Sequence, residues 1–334
     1  MHLLIVTQKV DATDSTLGFF VHWIKRFSEY ADITVIANEV GPYDLPTRVR
    51  VFSLGKEREA SRLSRLLTYR RLLREHLPKV DGVFFHMCPE YVIAASFLPK
   101  RFGKKSVLWY THKKVSWRLR LALWFVDVIF TASKESFRLY SEKVRVAGHG
   151  VDSKLFSRLA ERPKHLRLIT VGRISRVKDL TTLLCGFAEI KQRSPDAEFL
   201  IAGEAVTAGD RRYQVELQTA FPSLARFVGA IQYRELPAFL SGASAFLHAS
   251  RTGSIDKAVL EALASGLFVV TSSEAFSSVI PGVFTFKNGD PLDLARALLR
   301  AAGEVGRYNE AGREWVKTHH ELSTLISRII SFYA

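Results

Sequence analysis

Cysteine is nearly absent from this chain, whose 334 residues hold only Cys88 and Cys185. Both stand among apolar neighbours, and their spacing fits neither a disulfide framework nor a metal site, so a reducing compartment is expected. No apolar run approaches the roughly 20 residues that a membrane-spanning helix needs. Residues 1–6 read as a buried strand, too short for a secretory leader. The expected location is cytoplasmic, with peripheral attachment at the inner face of the plasma membrane as an option. Gly-x-Gly-x-x-Gly is missing after the first strand, and Gly-x4-Gly-Lys-Ser/Thr is missing everywhere. A dinucleotide oxidoreductase and a P-loop enzyme therefore have no support. Asp-x-Asp is missing too, so a metal held by that pair is not expected, and neither is a tightly bound cofactor.

Acidic residues are in short supply, and unevenly so. The net charge is +15; residues 1–162 carry 28 Lys and Arg against 16 Asp and Glu, while residues 163–334 carry 20 against 17. The excess gathers in two stretches. In residues 56–79, Arg58, Arg62, Arg65, Arg70, Arg71 and Arg74 interleave with Leu63, Leu66, Leu67, Leu72, Leu73 and Leu77. The second stretch holds Lys100, Arg101, Lys104, Lys105, Lys113, Lys114, Arg118 and Arg120. A basic amphipathic helix over 56–79 would lie on an anionic leaflet, with Arg62, Arg65, Arg70 and Arg71 toward the lipid or the acceptor. The plain alternative is a core-packed helix with a solvated basic face. Nucleic acid is not expected as a partner, because no basic-aromatic module appears.

Short runs rich in Val, Ile and Phe alternate with helical patterns, which is how parallel α/β sheets read. The first half gives runs at 3–7, 33–37, 49–54, 82–86, 106–111, 128–132 and 144–147; the second gives 167–171, 198–202, 226–228, 245–248, 267–271 and 283–286. Two Rossmann-like domains follow, which also suits a length beyond the usual limit of one core. The expected division is 1–155 for the first, 164–313 for the second, and 314–334 as a terminal helix long enough to reach back to the first. The boundary is placed in the polar stretch 152–165, which contains Pro163.

One constellation carries chemistry. A strand ends in Val171-Gly172-Arg173, Lys178 follows five residues after Arg173, and a later strand ends at Gly203-Glu204. Another ends at His248-Ala249-Ser250, and Thr252 to Gly266 leads into the next, with Gly253, Ser254, Asp256, Lys257 and Glu261 inside it. Cations after a strand, set beside a helix N-terminus, suit a diphosphate. Residues 145–275 in this order resemble the donor-binding domain of retaining glycosyltransferases of the GT-B fold, family 4. His149-Gly150-Val151-Asp152 looks like that family's Asn-Gly-Val-Asp hinge, with His149 in place of Asn.

The resemblance implies two facing Rossmann-like domains and a nucleotide-diphosphate sugar as donor, moved to a glycan, glycolipid or polyprenyl-linked acceptor in cell-surface polysaccharide synthesis. It implies that Arg173 and Lys178 stabilise the departing diphosphate, an electrostatic role aimed at developing charge. Glu261 would accept from the ribose hydroxyls. Gly172, Gly203, Glu204, Ile231, Gly253, Ser254 and Lys257 would line the donor; Asp256 is either a donor contact or a plain helix cap. In the first domain, Gly18 would approach the diphosphate, and His112 would face the sugar, with His86 as its alternative. The family's first Glu of Glu-x7-Glu falls at Gly253 and is replaced. That replacement favours, as the rival reading, a non-catalytic partner that binds a nucleotide sugar. An epimerase or a phosphorylase of the same architecture fits less well.

Overall fold

A computed structural model describes residues 1–157, 163, 165–251, 253, 255–276, 279–304 and 306–334. The chain forms two compact units, residues 1–150 with 322–334 and residues 151–321.

The first unit is built on seven parallel strands: β1 (His2–Val10), β2 (Asp32–Val40), β3 (Val49–Ser53), β4 (Gly82–His86), β5 (Lys105–Trp109), β6 (Val128–Thr131) and β7 (Val144–Val146). Their order across the sheet is β3-β2-β1-β4-β5-β6-β7. The second unit has six more parallel strands: β8 (Arg167–Val171), β9 (Glu198–Ala202), β10 (Arg226–Gly229), β11 (Ala245–His248), β12 (Phe268–Thr271) and β13 (Val283–Thr285), in the order β10-β9-β8-β11-β12-β13. These two sheets with interleaved helices are the two Rossmann-like domains expected from the alternating pattern. β1 and β2 outrun their apolar cores because they stay in register through Lys9–Glu39 and Val10–Val40. Each sheet reverses its order once, between β1 and β4 and between β8 and β11. Ligands of open parallel sheets bind beyond the strand carboxyl ends at such reversals.

Helices cover the faces. In the first unit they are α1 (Phe19–Phe27), α2 (Arg62–His76), α3 (Pro89–Ala95), α4 (Leu98–Arg101) and α5 (Trp117–Phe125). In the second they are α6 (Leu180–Arg193), α7 (Ala208–Ala220), α8 (Leu236–Ser241), α9 (Lys257–Ala264), α10 (Pro291–Ala301) and α11 (Glu310–His320). The last helix, α12 (Leu322–Tyr333), returns to the first unit. There Leu322, Leu325, Ile326 and Ile329 join Phe20, Trp23, Ile24 and Phe27 of α1 on one side of the sheet. The opposite side buries Leu72 and Leu73 of α2, Val92 and Ala95 of α3, and Leu119 and Ala122 of α5.

Three expectations need correction. The terminal helix read over 314–333 is two helices, since Glu321 is extended (φ −63°, ψ 134°) and breaks the ladder between α11 and α12. The boundary lies at Gly150–Val151, ahead of the polar stretch. Trp23 Nε1 donates to the Gly150 carbonyl at 3.2 Å within the first unit. In the second, the Val151 amide donates to His320 O at 2.7 Å, and Arg313 donates to the carbonyls of Ser153 and Phe156. Residues 151–156 are thus fastened to the second unit by hydrogen bonds that composition does not reveal. Finally, α2 is not amphipathic in the expected way. Leu72, Leu73 and Leu77 are buried, but Leu63, Leu66 and Leu67 in its first two turns face outward.

Candidate active site

The order reversal of the second sheet lies between β8 and β11, and the loops leaving these strands meet there. After β8 the chain turns at Gly172 (φ +149°), and Arg173 stands exposed. A short 3-10 turn, Arg176–Lys178, brings Lys178 back so that its Cε would lie 3.5 Å from a Cβ on Gly172. Asp179 closes that turn in the left-handed region (φ 41°) and is buried, and Arg251 donates to its carboxylate at 3.2 Å. Gly203 ends β9 so close to this turn that a Cβ there would meet the Gly172 carbonyl oxygen at 1.8 Å. The Gly172 amide donates to Ala202 O at 3.0 Å, and the Ile174 amide to Glu204 O at 2.9 Å. Two strand ends are therefore laced together by backbone alone, which leaves the Glu204 side chain exposed.

The other side of the site comes from β11 and α9. Gly253 adopts φ +60°, while Thr252 and Ser254 lie outside the described residues. Asp256 caps α9, accepting from the Ala258 amide at 3.3 Å. Its second carboxylate oxygen accepts from Lys178 Nζ and lies 3.2 Å from His248 Nε2. Asp256 is thus a helix cap and, at the same time, the partner of Lys178 and His248. Burial would push this carboxyl up, but the Lys178 ammonium and the His248 donor hold it well below the usual carboxylate range. His248 is 2% exposed, and burial pushes its pKa down in spite of Asp256. The neutral ring then donates through Nε2 to Asp256 and accepts at Nδ1 from Thr271 Oγ1, 2.9 Å away. Thr271 Oγ1 itself accepts from the Ser273 amide at 3.1 Å, which leaves its proton for the imidazole.

One helical turn further on, Glu261 is buried and accepts from Lys257 Nζ at i−4. Lys257 also donates to Tyr233 Oη at 2.9 Å and sits 4.8 Å from the centre of its ring. Burial pushes the Glu261 carboxyl up against the pull of Lys257 and Tyr233. The site therefore pairs a cationic strand-end loop with the N-terminus of a helix and a desolvated carboxylate behind it, a set that suits a phosphorylated ligand carrying hydroxyls.

Residues 165–304 match the family described as glycosyl transferases group 1. They form a group 1 glycosyltransferase domain. Solved structures share the whole fold. HepE from Anabaena, in complex with UDP and glucose, is 15% identical with a TM-score of 0.76, over 99% of this chain and 98% of that one. Sucrose-phosphate synthase from Thermosynechococcus elongatus is 16% identical with a TM-score of 0.76, over 100% and 98%. The lipopolysaccharide outer core galactosyltransferase WaaB, in its apo form, is 14% identical with a TM-score of 0.68, over 99% of each chain. At these identities the likeness establishes the GT-B fold of the glycosyltransferase. No curated protein sequence matches the chain.

The residues expected in the glycosyltransferase site separate into three groups. Gly172, Lys178, Asp256, Lys257 and Glu261 gather along the β8 turn and α9, with Arg173 and Gly253 on the adjoining loops. Ile231 is half-buried after the left-handed Gly229 (φ +79°). Gly18 and His112 belong to the first unit. Gly18 is right-handed (φ −55°), and its amide donates to Asp14 O at 3.0 Å. His112 is exposed, three residues past the end of β5, and its Nδ1 accepts from the Lys114 amide at 3.0 Å. His86, the alternative, is 1% exposed, stacked on Phe20 with ring centres 3.7 Å apart and 3.1 Å from Thr7 Oγ1. Its imidazole belongs to an aromatic core. Of the basic residues on α2, Arg62 and Arg71 are exposed, Arg70 is half-buried, and Arg65 donates to Asn38 Oδ1 at 2.6 Å. Among the described residues, no three His, Cys, Asp or Glu side chains converge as a metal site.

Sequence reasoning placed His248 at a strand end but gave it no role, and it missed Asp179, Arg251 and Tyr233. His248 had a signal, because it ends a buried strand next to the order reversal. Tyr233 had none, since an aromatic residue beyond a glycine turn is common core material.

Proposed function

We propose that this glycosyltransferase takes its sugar from a nucleoside diphosphate sugar bound beyond β8 and β11 and transfers it with retention of configuration. The observation that carries the reading is the meeting of Lys178 with the N-terminus of α9 at the sheet's order reversal. Structures of HepE with UDP and with UDP-glucose support the choice of donor class. Lys178 and Arg173 would neutralise the diphosphate, with amides near Gly253 and Ser254 adding donors. Glu261 would accept from the ribose diol while Lys257 holds its second face. Gly203, Glu204 and Ile231 would border the nucleotide.

As the glycosidic bond breaks, negative charge grows on the departing phosphate, and the two cations gain most interaction at that moment. The acceptor hydroxyl attacks from the same face and gives its proton to that phosphate, so the bond formed replaces the bond broken and the proton leaves with the nucleotide. The hexose itself meets no carboxylate at 253, where this chain has glycine. The acceptor is read as a glycan, glycolipid or polyprenyl-linked sugar at a membrane surface, because the positive charge gathers in the first half of the chain.

Thermal unfolding with UDP, GDP and ADP and their hexose conjugates tests the donor site. A ligand at about 100 times its Kd should stabilise by roughly 2.7 kcal/mol. That gain should shrink in Arg173→Ala and Glu261→Ala, and the anomeric configuration of the product read by NMR tests retention. Nucleotide binding without turnover on any acceptor would favour the second reading, a non-catalytic binding partner, to which Gly253 in place of a glutamate points. Glutamate at Arg62, Arg65, Arg70 and Arg71 together should weaken attachment to anionic vesicles.

A further inference from the structure

The helix α5 turns its indoles outward. Trp117 is 65% exposed and Trp124 76%, with Leu121 between them at 37%, while Leu119 and Ala122 on the other side are buried. Positions i, i+4 and i+7 share one helical face, so the two indoles stand roughly 10 Å apart along the same stripe. Phe97, 64% exposed, packs edge-on against Phe125 at 4.9 Å and extends the stripe past the end of the helix. α3 packs against both α5 and α2. On α2, Leu63 and Leu67 are also more than 60% exposed.

Charge surrounds this apolar strip. Residues 91–126 hold eight Lys and Arg and no Asp or Glu. Arg118 lies over the Trp117 ring at 5.2 Å, and its ion pair with Glu90 at 3.5 Å is the acidic contact beside it. Lys100 bends to the Trp124 carbonyl at 3.3 Å.

We propose that the outer face of α5, flanked by Phe97 and the first turns of α2, inserts into the headgroup region of an anionic bilayer. The proposal rests on the reading of a membrane-borne acceptor given above and assigns the contact to tryptophans instead of the α2 arginines alone. An amphipathic indole suits the boundary between headgroup and acyl chain, and cations around it meet anionic lipid. A second copy of the chain is the competing occupant of such a strip. It is disfavoured, because pairing this face with itself would bring two strongly basic surfaces together. The place in the fold agrees as well. α2 and α5 begin in the loops leaving β3 and β5, at the rim beyond the strand carboxyl ends where parallel sheets bind ligands, so a bilayer seated on them would present a lipid-linked sugar at that rim.

The test is flotation of the full chain with vesicles of phosphatidylcholine alone and of phosphatidylcholine mixed with phosphatidylglycerol. Wild type is compared with the double variant Trp117→Ser and Trp124→Ser, and tryptophan quenching by brominated lipid is read in parallel. Binding to the mixed vesicles should weaken at least about tenfold in the variant, with loss of most quenching. The thermal shift by UDP should stay unchanged, which separates docking from damage to the donor site. Equal binding by the variant, no binding of wild type to either vesicle, or a concentration-dependent dimer that the variant abolishes would each overturn the proposal. Vesicle binding that depends on the tryptophans, together with turnover only on a soluble acceptor, would leave the docking face standing and remove the membrane acceptor.

Discussion

Lys178 and Asp256, 78 positions apart in the chain, share an ion pair that joins the β8 turn to the N-cap of α9. On the proposed donor reading, a diphosphate arriving at this helix end would compete with the aspartate for the same ammonium. Asp256→Asn keeps a capping oxygen but releases the charge of Lys178. Titration calorimetry should show UDP bound several-fold more tightly. Denaturant unfolding without ligand should show a loss of about 1–3 kcal/mol, because Lys178 and His248 lose a charged partner.

The buried pair of Lys257 and Glu261 should behave asymmetrically. Lys257→Met strands a carboxylate that burial already pushes up, and about 3 kcal/mol of stability should go. Adding Glu261→Leu to it should restore a good part of that loss. Urea unfolding of the two single variants and the double gives the coupling directly.

Gly203 and Gly229 both adopt positive φ, at +148° and +79°, but only Gly203 faces backbone at 1.8 Å. Gly229→Ala meets open space and should cost about 1 kcal/mol from its backbone alone. Gly203→Ala must push the Gly172 turn away, so a loss above about 3 kcal/mol is expected, along with weakened nucleotide binding. Equal melting temperatures for the two would contradict the close approach.

Stability should fall with acid through His86. Burial, aided by His149, pushes its pKa down to about 3. The fold therefore keeps the imidazole neutral, at no cost above about pH 6.5, the ordinary histidine value. Below it the unfolded chain takes up a proton that the folded one refuses. Its share of stability should drop by about 1.4 kcal/mol per pH unit until about pH 3. His86→Phe should flatten this limb relative to wild type when ΔG is compared between pH 7 and pH 4.

Apolar runs announced all thirteen of the described strands. The central ones are apolar because both their faces are buried, while the edge strands β3, β7 and β10 are partly exposed and keep only a short apolar stretch. The cationic loop after β8 was equally legible, because Gly172, Arg173 and Lys178 stand close together in the chain. What escaped depended on partners distant in sequence. Nothing near Asp256 says that Lys178 will reach it, and His248 becomes polar-paired only once Thr271 lies beside it in β12. The division of the α2 leucines was hidden for a similar reason. A fifteen-residue helix that covers its sheet only with its second half looks, as a string, like one that covers it throughout. The break at Glu321 left no glycine or proline to mark it.

The return of α12 to the first unit makes the second unit an insertion, placed between residues 150 and 322 of another domain. When the chain emerges from the ribosome, residues 151–321 can close their core before α12 has been made. The first unit cannot, because Leu325, Ile326 and Ile329 are needed against α1 and are made only after residues 151–321. For that interval Trp23, Ile24 and Phe27 have an uncovered flank of the kind that chaperones hold and aggregation exploits. Of these two units, the one that starts earlier in the chain is thus the one closed later.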